Sequence, residues 1–157
     1  MVDTNVQTLD EKGRLDTFLQ RDLPVGYFLV RFTMGLHMIA HGAARLVIMP
    51  KFMAETLKDF EGVTVLYIPF FPVWLVTIMV YVIPSVEFVV GLLLTVGFKT
   101  RPATIAANLL FVFMMFGVVA QRNFATALIM WWYVLIFAML GALNFADRYS
   151  LDRMGKK

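Results

Sequence analysis

Four apolar stretches of about twenty residues or more, separated by short charged or proline-containing turns, leave this chain only one kind of solvent. A helix of that length spans the hydrocarbon core of a bilayer, about 30 Å thick. The composition agrees: 60% of the residues are hydrophobic and 16% charged, against roughly 45–50% and 25% in soluble domains. The predicted fold class is therefore all-α, an integral membrane four-helix bundle in a lipid bilayer. The chain has no cysteine, so by itself it offers no disulfide relay, iron–sulfur cluster or thiolate metal site. The net charge of +3 sits at the segment ends, which points to membrane topology and not to nucleic acid.

The first segment opens near Pro24, a good first-turn residue, and stops near Ile48 at Met49-Pro50. Its span, 24–48, gives about 36 Å of helix. Residues 51–62 mix charges with Phe52, Met53, Leu57 and Phe60 and predict a short amphipathic helix between helices 1 and 2. After an irregular entry at Pro69 and Pro72, the second span runs over about 73–97. Pro84 lies inside it, removing a backbone bond to the Val80 carbonyl and predicting a kink. The third and fourth spans cover about 102–121 and 124–145.

Residues 1–22 carry both signs without an apolar core and read as a polar cytoplasmic segment, not a cleavable signal. The bundle occupies 23–147, and residues 148–157 read as a cytoplasmic tail. Four spans put both termini on one side. That side collects Lys12, Arg14, Arg21, Lys99, Arg101, Arg148, Arg153, Lys156 and Lys157, against Lys51, Lys58 and Arg122 on the other. The excess predicts cytoplasmic termini.

Glu87 is the only charged residue between Glu61 and Lys99. A carboxylate at the centre of a span costs about 3 kcal/mol on insertion scales, so such groups face a bundle interior. The first span carries a second polar set. At 100° per residue Arg31, His37, His41 and Arg45 share an arc of about 120°. Counted from the helix ends, Arg31 lies about 9 Å deep, Glu87 about 15 Å and His37 about 18 Å, with Asn108 of the third span near the Arg31 level. Three readings follow. One is a buried salt bridge that fixes helix registry. Another is a proton-active site that hydrogen-bonds a lipid-soluble carbonyl, a quinone being the natural case: Glu87, His37 and Arg31 do the chemistry while His41, Arg45 and Asn108 contact the ligand. The third is ligation by His37 or His41, either of a metal shared with Glu87 or of a haem or chlorin. The H-x-x-x-H spacing is a weak metal signal, and no metal site is assigned.

Arg45, near the outer end, is expected to snorkel. Gly42 and Gly91, close to the polar residues, suit close helix approach. Trp131 and Trp132 stand mid-span and predict core or partner contact. The 11 methionines scatter over apolar faces as gap-fillers.

Two blocks resemble the DoxX family of small four-helix bacterial and archaeal membrane proteins. RFTMGLHMIAHGAARL carries its His-Gly pair and following basic residue and Leu at His41, Gly42, Arg45 and Leu46. IPSVEFVVGLLLTVGFKTRPA carries its Glu-x-x-x-Gly and Gly-x-x-Thr-Arg segments at Glu87, Gly91, Gly97, Thr100 and Arg101. The family usually has Lys where Arg45 stands, which keeps the charge and changes the geometry. The resemblance implies the four-helix membrane fold. The family takes its name from the small subunit of an archaeal thiosulfate:quinone oxidoreductase, so it also implies association with redox membrane subunits and quinone. No flavin, iron–sulfur or covalent haem motif is present, so electrons for such a reaction come from a partner. The alternative is a structural or assembly subunit of a respiratory or photosynthetic complex.

Overall fold

The computed structural model describes residues 12–66 and 73–154, and every regular element among them is helical. α1 (Lys12–Val47) is one continuous helix containing a π turn at Phe18–Asp22. α2 (Met49–Leu66), α3 (Val73–Val96), α4 (Thr100–Ala120) and α5 (Phe124–Ala142) follow. A 3-10 turn at Asn144–Ala146 and the one-turn α6 (Leu151–Met154) close the described chain. α1, α3, α4 and α5 are long and apolar enough to cross a membrane, and the protein is an all-α membrane bundle.

α1 begins well before Pro24. Proline in a helix interior normally breaks it, because the ring displaces one backbone bond and crowds the carbonyl four residues back. Here that carbonyl belongs to Gln20. It lies in the widened π turn and accepts a hydrogen bond from Arg148 Nη1 at 3.1 Å. The freed group is satisfied, and the helix runs on through residues 12–22. α3 likewise stays α-helical through Pro84. The entry expected at Pro69 and Pro72 lies outside the described residues.

A single turn residue, Ile48, separates α1 from α2. The amphipathic helix is longer than expected and rests against α3, where the Tyr81 hydroxyl donates to Met53 Sδ at 3.5 Å.

α1 packs most extensively on α3, and α4 on α5. The first seam is built from glycines. A Cβ on Gly42 would stand 2.7 Å from Phe88 N and 2.8 Å from the Pro84 carbonyl oxygen. One on Gly91 would stand 2.8 Å from both the Gly35 carbonyl oxygen and Ile39 N. Backbone atoms cannot swing aside as side chains can, so a methyl group forces the helices apart. Without a hydrophobic drive between helices in lipid, association rests on this close packing. Gly42→Ala is expected to destabilise the bundle by about 1–3 kcal/mol, the usual overpacking cost. Unfolding in a mixed detergent series reads the change. An unaltered midpoint would mean that the seam tolerates separation.

Met34, Met38, Val90, Leu94, Phe111 and Phe137 fill the centre. Trp131 and Trp132 are more than half exposed on the outside of α5 and are not among the buried core residues.

Candidate functional site

The structure divides the polar residues between two places. α1 starts at the same end of the bundle as the chain's last described residues, here the terminal end, since Arg31 Nη2 donates to the Tyr149 carbonyl at 3.0 Å. Arg31 is completely buried there. Its Nη1 donates to the Leu94 carbonyl, and its Nε stands 4.0 Å from Asp147 Oδ1. Gly97, at φ +78°, gives this guanidinium its room. A Cβ there would fall 2.7 Å from Arg31 Nη1 and 2.9 Å from Ser150 Cα. After α5 the described chain therefore returns onto the bundle. It crosses the terminal end, and Asp152 accepts from the Lys99 and Thr100 backbone N–H groups, both at 2.8 Å. That carboxylate caps α4, whose N-cap residue Lys99 is left-handed (φ 48°) and makes no side-chain cap of its own. Asn144 ties the same end together through Tyr27 and Thr100.

Glu87 is nowhere near Arg31. The two are separated along α3 by the seven residues from Glu87 to Leu94, about 10 Å of helix. Glu87 pairs instead with Arg45, whose Nη1 lies 2.7 Å from Oε1 and 2.6 Å from Oε2. The Glu87 side chain is 3% exposed and that of Arg45 23%. Side chains lean toward the N-terminus of their own helix. In an antiparallel pair Arg45 and Glu87 thus lean toward one another and close a gap that their backbones leave open. Arg45 was expected to snorkel outward; it turns inward because a buried carboxylate lies within its reach. Its guanidinium also sits 5.5 Å from the Phe52 ring of α2.

His41 is exposed on the α1 surface, while His37 is half buried. Their rings lie 4.3 Å apart. His37 stacks on Tyr133 of α5 at 5.0 Å, and Tyr133 stacks on Phe111 of α4 at 4.8 Å. Asn108 approaches neither cluster by a hydrogen bond, and its Oδ1 is buried without a partner among the described residues. No three His, Asp or Glu side chains gather within ligating reach among the described residues.

Beside the ion pair lies a cavity of ≈ 320 Å³. Arg45 forms part of its wall, with Phe52 of α2, Met79 and Ile83 of α3, Met114 of α4 and Met130 of α5. This cavity had no signal in the sequence, because its walls come from five elements and consist of ordinary apolar residues.

The DoxX family model matches residues 26–123. The chain belongs to the DoxX family. Neither curated proteins nor solved structures yielded a match. The matched region of this DoxX protein contains Arg31, His37, His41, Arg45, Glu87 and Asn108, but ends before α5 and the segment that covers Arg31.

Proposed function

We propose that this DoxX protein is the membrane subunit of a quinone-linked electron-transfer complex and binds a quinone in the cavity beside Glu87 and Arg45. One observation carries the reading: Arg45 lines an apolar cavity bounded by all five long helices, and behind it Arg45 is held by the buried Glu87 carboxylate. Binding sites of this kind are apolar with a few fixed polar groups. The donor set suits a lipid-soluble ligand with a carbonyl at one end. Arg45 offers hydrogen-bond donors where negative charge would develop, and Glu87 exchanges a proton with it. His41 lies one turn before Arg45 on α1, and His37 rests against His41. The four form one proton-active set, in which Arg45 takes the place first given to Arg31. His41 and His37 also leave haem or chlorin ligation open to test by visible absorbance.

The electron donor is a partner subunit, and the excess of basic residues at the terminal end orients that end toward the cytoplasm of a bacterial or archaeal cell. The competing reading, a structural or assembly subunit, draws on the outward-facing Trp131 and Trp132.

Organic extraction of protein purified in native lipid discs separates them. The proposal expects about one quinone per chain. It also expects loss of that quinone in Ile83→Trp, which fills the cavity. Glu87→Gln is expected to keep the quinone while lowering quinone-dependent turnover by about 10²-fold or more, the usual contribution of a positioned acid–base group. No quinone in the wild-type extract, together with no binding of added quinone, would leave the assembly reading standing.

A further inference from the structure

The terminal end carries four orphaned polar atoms in one place. Arg31 Nε, Asp147 Oδ1 and Oδ2, and Ser150 Oγ are buried with no hydrogen-bond partner among the described residues. Their residues are 0%, 2% and 0% exposed, so bulk solvent does not serve them. The atoms converge. Arg31 Nε faces Asp147 Oδ1 at 4.0 Å, too far for a hydrogen bond. Gly97 brings Ser150 and the guanidinium together, since one virtual Cβ there would touch both.

The set contains a donor, two carboxylate acceptors and a hydroxyl that does either. A guest that accepts from Arg31 Nε and the Ser150 hydroxyl and donates to both Asp147 oxygens satisfies all of them. A bare cation fails, because it repels the guanidinium already present. Buried waters take this role, with two to four polar partners each.

We infer that Arg31, Asp147 and Ser150 enclose a site for a single ordered water, and that this water fastens the C-terminal segment onto the α3–α4 turn. The neighbouring bonds show what it fastens: Arg31 to the Tyr149 carbonyl, the Asp152 N–H to the Gly97 carbonyl at 3.3 Å, and the Asp152 carboxylate on α4. The site is independent of the cavity at Glu87 and of any quinone there.

The test uses the full chain in lipid discs. Water-to-amide magnetisation transfer is expected at Ser150 in the wild type, retained in Asp147→Asn and lost in Asp147→Leu. Amide exchange at Asp152 is expected to quicken roughly tenfold in Ser150→Ala, the equivalent of one lost buried hydrogen bond. Ser150→Ala also serves should Asp147→Leu fail to fold. No transfer in the wild type, or an unchanged Asp152 exchange rate in Ser150→Ala, overturns the inference. So does density at the site whose strength follows the sodium concentration.

Discussion

Replacing Arg45 with methionine is expected to destabilise the bundle by about 3–5 kcal/mol, the cost of leaving one partner of a buried ion pair uncompensated. Glu87 is the partner left behind, at 3% exposure between α1 and α3. The contact between the Arg45 guanidinium and the Phe52 ring is lost as well, loosening α2 from α1. The diagnostic comparison is the double variant Arg45→Met, Glu87→Met. An apolar pair of similar volume removes the stranded charge, so most of the loss should return. Unfolding midpoints for the two singles and the double give the coupling directly. A single Arg45→Met variant within about 0.5 kcal/mol of wild type would mean that Glu87 finds another partner.

Arg31→Met is expected to cost a similar amount, about 3–5 kcal/mol, through a different part of the molecule. It strands Asp147 and removes the donors that serve the Leu94 and Tyr149 carbonyls. The effect should concentrate after α5: proteolysis between residues 143 and 154 should quicken, and the Lys99 and Thr100 amides held by Asp152 should exchange faster. Arg31→Lys should not rescue it. A single ammonium cannot reproduce a planar fork that reaches two carbonyls on different elements. Full protection of the C-terminal segment in Arg31→Met would show that Asp152 alone holds it.

Helix existence was readable residue by residue, since each of the four spans announces itself by length and apolarity. The interruptions were read less well. Pro24 looked like a beginning, yet the helix runs through it, with a π turn at Phe18–Asp22 just before it and Arg148, more than a hundred residues away, on the Gln20 carbonyl. The contact with Arg148 is not contained in any local rule. Residues 148–157 read as a cytoplasmic tail because their charges are those of a tail. Asp152 and Ser150 are bound only because the α3–α4 turn presents N–H groups and a side-chain-free Gly97.

The polar cluster shows the same division. That Glu87 must meet a partner from the first span followed from its cost in hydrocarbon and from the stripe opposite. Counting depth from the helix ends aligned it with Arg31 and His37. Gly35, Gly42 and Gly91 set the register instead, by where backbones can touch, and they bring Glu87 to Arg45.

By itself the sequence determined the solvent, the four spans and the need for a buried counter-charge, because each follows from the free energy of placing one group in hydrocarbon. Which cation answers Glu87, what covers Arg31 and where a cavity opens were decided only in the folded bundle. Those depend on helix register and on contacts between residues far apart in the chain, and no short stretch encodes either.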